Sequence, residues 1–119
     1  MKKIEAIIRR SQFDEVLAAL HEAGIDFFTY WDVTGVGNEK SGAVYRSVVY
    51  ETRLIERRTI SFVCREKFVD VAIAAILKSA QTGEMGDGKI FISTIDESIR
   101  IYFKVRNQML NRYFLDRDL

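Results

Sequence analysis

Proline is missing altogether from this sequence of 119 residues, which leaves its turns to glycine, asparagine and aspartate. Cysteine and histidine occur once each, as Cys64 and His21. A disulfide within the chain is therefore ruled out, and a His/Cys zinc site within one chain is not expected. The two residues read instead as a buried strand thiol and a helix-surface imidazole. No apolar run approaches the ~18 residues of a membrane span, and Lys2-Lys3 leads into alternation rather than into the apolar core of a signal peptide. The expected setting is cytoplasmic, without membrane insertion. A net charge of +1 offers nucleic acid nothing, and no basic face or aromatic platform stands out, so no nucleic-acid partner is expected.

What is present describes one globular domain with a real core: 48% hydrophobic and 29% charged residues. Lys3 to Arg9 alternates in the manner of a strand buried mainly on one side. Ser11 can cap a following helix, with Asp14 in the capping-box position, and Phe13, Val16, Leu17 and Leu20 form its apolar stripe before Gly24 ends it. Phe27 to Gly35 is rich in aromatic and β-branched residues and reads as a second strand. Pattern then weakens from Val36 to about Leu54, a length that in a compact domain usually marks a functional or mobile segment. Strand pattern returns over Arg57 to Arg65, and Val69, Ala72, Ile73, Ile76, Leu77 and Ala80 make a second helical stripe. Lys89 to Ser93 is a further strand, and Ile99 to Lys104 reads as one more. The two halves echo each other as βαβ units. That is the α+β, ferredoxin-like arrangement, an antiparallel sheet with two helices on one face. Its other face needs cover, for which a second subunit is the economical source.

Between the second helix and the strand after it lies Thr-Gly-Glu-Met-Gly-Asp-Gly-Lys-Ile-Phe, residues 82–91. Glycine at 83, 86 and 88 allows a backbone that side chains would block, so that successive N–H groups can converge on an anion while Lys89 adds a point charge. The same residues equally make an ordinary helix-to-strand turn. No nucleophile–base pair or carboxylate dyad can be placed anywhere, so no enzyme is expected.

The opening Met-Lys-Lys-Ile-Glu-Ala-Ile-Ile-Arg, the Phe-Asp-Glu-Val at 13–16 leading to Ala-Gly-Ile at 23–25, the Gly-Val-Gly at 35–37 and the stretch at 82–91 together resemble the PII nitrogen-regulatory signalling proteins. The resemblance spans residues 1–104, with the weakly patterned stretch at about 36–54 in the place of that family's partner-contacting T-loop. Residues 105–119 lie outside it. There Val105, Met109, Leu110, Tyr113 and Phe114 form a helical stripe, suited either to packing on the protein's own oligomer or to docking a partner.

The resemblance implies a homotrimer with an adenine nucleotide, ADP or ATP, with AMP a further candidate, held between subunits at the loop base. It implies that Gly35 and Gly37 admit the nucleotide, that Thr29 and Val63 lie near the adenine, and that Thr82 belongs to the same wall. Gly86, Asp87, Gly88 and Lys89 would cradle the phosphates. Arg57 stands for a lysine that meets the outer phosphate, and Arg100 would add a cation across the subunit boundary. Tyr50 falls where some bacterial members carry a nucleotidylated tyrosine, or else packs on the body. The regulated partner would be a transporter or enzyme of nitrogen or carbon metabolism.

Departures from the family pattern bear on ligand choice. Asn38-Glu39 replace an Arg-Gln pair whose glutamine arranges magnesium and 2-oxoglutarate; Glu39 can still ligate magnesium, but its carboxylate would repel a dicarboxylate. Tyr102 replaces an arginine, and Lys104 restores only part of a lost bidentate phosphate contact. Arg10 replaces a proline. These changes point to ADP or AMP and away from 2-oxoglutarate sensing. An alternative is a trimeric assembly protein similar to the CutA group with a decayed nucleotide site, acting by association alone; the retained Lys89, Arg57 and Arg100 argue against it, and the losses at positions 38, 39 and 102 argue for it.

Overall fold

A computed structural model describes residues 1–39 and 51–101, without the side chains of Asn38, Glu39 and residues 51–53. Strand β1 (Lys2–Ile8) leads through a 3-10 turn at Arg10–Gln12 into helix α1 (Phe13–Glu22). Strands β2 (Thr29–Glu39) and β3 (Glu51–Cys64) follow, then helix α2 (Glu66–Ala80) and strand β4 (Gly88–Thr94). The sheet is antiparallel in the order β2-β3-β1-β4, which is the ferredoxin-like topology expected from the repeated βαβ pattern.

Alternation along the strands decides where the core sits. Register pairs Ile4 with Phe62 and Ile92, and Ala6 with Ile60 and Ile90. These side chains share the face covered by α1 and α2, where Val16, Leu20, Ala72 and Ile76 complete a core nearly closed to water. Burial of this kind is worth roughly 1.5–3 kcal/mol for each large aliphatic side chain. Cys64 belongs to the same layer, and burial pushes its thiol up from the usual range. His21 lies on the helix surface as expected, with Nδ1 2.9 Å from the Asp26 carboxylate. Gly24 ends α1 at φ +89°, its N–H donating to the His21 carbonyl.

Several expected boundaries move. Ser11 does not cap α1: it lies within the 3-10 turn, and the residue before the helix, Gln12, makes no side-chain cap either. β2 runs four residues past the expected Gly35, and β3 begins well before Arg57, because the two strands pair continuously from Thr29↔Ser61 to Glu39↔Glu51. Beyond Ile8↔Arg58 this pair has no third strand among the described residues. It is a two-stranded stem leaving the body, with no buried face to impose an apolar pattern. The flanks of the expected loop at 36–54 are therefore paired strand. Residues 99–101 of the expected strand at 99–104 are not in a strand, and 102–104 lie outside the described residues. So do Tyr50 and the expected helix at 105–119.

Candidate functional site

The sheet face away from the helices gathers most of the expected site residues, and it does so by register alone. Thr29 opposes Ser61, Val33 opposes Arg57, and Gly35 opposes Ile55, all one residue out of step with the buried set. Ile7 opposes both Thr59 and Lys89. Thr29, Gly35, Gly37, Arg57, Val63 and Lys89 thus share this open face. A Cβ at Gly37 would come 3.3 Å from the Ile55 side chain, tighter than a neighbour readily gives.

At one end of that face stands the glycine turn, and its organiser is Asp87. The carboxylate accepts from the Thr82 N–H (2.7 Å), the Thr82 hydroxyl, the Gly83 N–H (3.1 Å) and Arg9 Nε (2.9 Å). Thr82, through both hydroxyl and N–H, does most to hold the Asp87 carboxyl well below the usual carboxylate range; Arg9 comes next, burial opposes them, and the Gly83 N–H adds least. The Thr82 hydroxyl oxygen in turn accepts from the Glu84 N–H at 3.3 Å. Asp87, read from sequence as part of a phosphate cradle, is in the structure turned inward and engaged in shaping the loop.

Gly88 is needed for a separate reason. With φ at +130°, a Cβ there would lie 1.9 Å from the Ile7 carbonyl oxygen, so only glycine lets β4 pair with β1 at that point. Gly86 stands at φ +89° between two guanidinium groups: a Cβ would meet Arg57 Nη2 at 3.3 Å and Arg9 Nη2 at 3.6 Å. Both cations grip the turn through its backbone, Arg57 Nη2 donating to the Gly86 carbonyl and Arg9 Nη2 to the Met85 carbonyl, each at 2.9 Å. Lys89 is exposed, with its ammonium 6.0 Å from the Phe91 ring centroid. Among the described residues it has no ion-pair partner.

Arg9 was missed by sequence reading, which placed it only as the end of an alternating strand; its partner lies 78 residues away and no local signal connects them. Arg100 is exposed after β4, and no hydrogen bond or ion pair among the described residues joins it to the turn. A cleft of about 640 Å³ backs the turn between α2 and β4, lined mainly by aliphatic side chains such as Ile76, Leu77, Ile90 and Ile92. Asp87, Gly88 and Lys89 close its turn end, and neither arginine lines it.

On the helix side, the root of the stem is held by charge. Arg10 reaches Glu56 at 2.5 Å and Asp32 at 3.8 Å, while Arg58 donates to Asp32 at 2.7 Å and lies 4.5 Å above the Phe13 ring. The hydrogen bond from Arg58 is the main reason the Asp32 carboxyl falls below its ordinary value.

Fold and turn together define a class: a ferredoxin-like module with a long β-stem and, at its root, a glycine turn ringed by cations. The family described as Nitrogen regulatory protein P-II matches residues 1–104. The chain is 43% identical over 102 residues to the Nitrogen regulatory protein P-II of Rhodobacter capsulatus, covering 85% of this chain and 91% of that protein. Those of Bradyrhizobium diazoefficiens and Synechocystis sp. are 45% and 43% identical with the same coverage. The chain belongs to the nitrogen regulatory protein P-II family.

Proposed function

We propose that this protein is a signalling module rather than an enzyme, which binds an adenine nucleotide at the turn end of the open sheet face and uses the β2–β3 stem and its loop to regulate a partner protein. The observation that carries this reading is the bond from Arg57 to the Gly86 carbonyl. Arg57 belongs to the stem strand and Gly86 to the glycine turn, so a ligand that displaces or tightens that contact acts directly on the root of the stem. Binding then shifts the stem between orientations, to the extent that the ligand prefers one of them.

The residues present fit a phosphate group. Lys89 is exposed beside the turn, and the guanidinium group of Arg57 donates only to the neutral carbonyls of Glu56 and Gly86 among the described residues. Charge-assisted bonds to phosphate are the strong ones. Asp87 is engaged by its donors and does not present itself to a metal, so a magnesium ion arriving with the phosphates would look to Glu39. The carboxylate of Glu39 also disfavours 2-oxoglutarate, and the cation set suits ADP or AMP better than ATP.

Oligomerisation completes the reading. Trp31, Val63 and Phe91 stand exposed on the open face, and a homotrimer closing those faces on one another would bury them and place the nucleotide between subunits, with Arg100 of a neighbouring copy in reach. The regulated partner is a transporter or enzyme of nitrogen or carbon metabolism, met in the cytoplasm.

Calorimetric titration of the full chain with AMP, ADP and ATP, with and without magnesium and then with 2-oxoglutarate, tests this. Micromolar binding that Lys89→Ala weakens about tenfold is the expected result. Absence of binding to a well-folded oligomer would overturn nucleotide sensing and move attention to the assembly role.

A further inference from the structure

An anion site built around its own carboxylate has an electrostatic problem. The turn that is to receive phosphate keeps its shape because Asp87 draws together the N–H groups of Thr82 and Gly83 and the Thr82 hydroxyl. Those donors are neutral and leave the full negative charge of Asp87 in the middle of the turn. A polyphosphate brought beside it would be repelled, and such repulsion is only partly screened at a few ångströms.

We infer that Arg9 is the counter-charge that makes this turn acceptable to an anion: it neutralises Asp87 and fixes the turn by its backbone. Among the described residues Arg9 is the one charged donor to Asp87. The same guanidinium donates through Nη2 to the Met85 carbonyl, so it grips the turn on both sides of Gly86. Arg57 and Lys89 do not substitute for it. Arg57 donates to the Gly86 and Glu56 carbonyls and not to Asp87, and Lys89 lies over Phe91. Arg9 is in this scheme a positioning residue, acting on the ligand through Asp87. The inference rests on the nucleotide reading above and adds to it a division of labour among the cations: Lys89 and Arg57 for the ligand, Arg9 for the site's own carboxylate.

The division predicts a charge-graded defect. In calorimetry on the full chain, Arg9→Gln should weaken ADP about tenfold and ATP by more, yet leave adenosine within about twofold. In an Asp87→Asn background there is no charge to neutralise, so adding Arg9→Gln should weaken ADP by less than about threefold. A loss equal for adenosine, ADP and ATP would overturn the inference, because it would mean that Arg9 only holds the turn's shape. So would an undiminished ADP loss in the Asp87→Asn background, which would place Arg9 on the ligand itself. Should Arg9→Gln fail to fold, Arg9→Lys keeps the charge while giving up the fork. It should preserve the wild-type ratio of ATP to adenosine affinity, and a collapsed ratio counts against the proposal. Wild-type protein that binds no nucleotide overturns the site reading and this inference together, whereas tight wild-type binding with ungraded losses overturns this inference alone.

Discussion

The helix side and the open side of the sheet are built from the same strands, one residue out of step, and they serve different ends. On the helix side Ile4, Ala6 and Ile60 are wholly closed to water. On the open side Trp31, Val63 and Phe91 keep 43%, 42% and 51% of their surface, and among them stand Thr29, Arg57 and Lys89. The period of two in a strand lets one segment answer both demands without conflict. Thr59 and Ser61 are the exception: they lie on the open face of the inner strand β3 and are nonetheless buried. There the small polar side chains are crowded by neighbours on both flanks. A substitution on the helix side should therefore register as lost stability, and one on the open side as lost binding.

The largest expected effect falls where the two sides meet. Gly88→Val puts a side chain into the Ile7 carbonyl and should break the β1–β4 pairing, at a cost above about 4 kcal/mol in urea unfolding. Gly83→Ala is its control, with the same sign of φ but nothing within 4 Å, and should cost about 1–2 kcal/mol. Similar losses for the two would show that strain, not the close approach to β1, decides. Next comes Ile76→Ala on the helix side, which opens a cavity in the core and should cost roughly 2–5 kcal/mol. Nucleotide affinity of the folded variant should stay unchanged; a matching affinity loss would break the division between the faces.

Local features were legible in the sequence. The apolar stripes of both helices, the alternation of β1, the stop at Gly24 and the glycine turn all depend on neighbours within a few residues, and each formed where the pattern put it. The stem did not announce itself, since Val36 to Glu39 paired with Glu51 to Leu54 has no core to face and hence no period to read. Ile99 to Ile101 shows the reverse, a strand-like alternation that finds no partner strand among the described residues. At the site, residue types pointed to phosphate; the inward role of Asp87 rests on its near neighbours Thr82 and Gly83, while the part played by Arg9 depends on a contact across most of the chain.

Lys89→Ala sharpens the comparison from the open side. Its ammonium touches little of the fold, so stability should stay within about 0.5 kcal/mol. ADP affinity should nevertheless fall about tenfold, by the loss of one charge-assisted bond. A stability loss without an affinity loss would move Lys89 to the structural side of the division.

The smallest effect is one of pH, and it sets the two ends of the charge inventory against each other. Asp87 in the turn and Asp32 at the stem root both have carboxyls lowered from an ordinary value of 3.8, the first by Thr82 and Arg9, the second by Arg58. A carboxyl lowered by folding stabilises the folded state at every pH above its ordinary value, and that contribution is lost as pH falls through the lowered one. Stability owed to either residue should thus be flat from about pH 5 upward and decline below about pH 4. Asp87→Asn and Asp32→Asn should each flatten the acid limb by up to about one proton in its slope, measured by urea unfolding at a series of pH values. The variants should part in binding at neutral pH: Asp87→Asn removes the carboxylate that shapes the turn and so alters ADP affinity, while Asp32→Asn, on the helix side, leaves it alone. An affinity change from Asp32→Asn as large as that from Asp87→Asn would mean that the ion pairs of Arg10 and Arg58 carry the state of the stem root into the site.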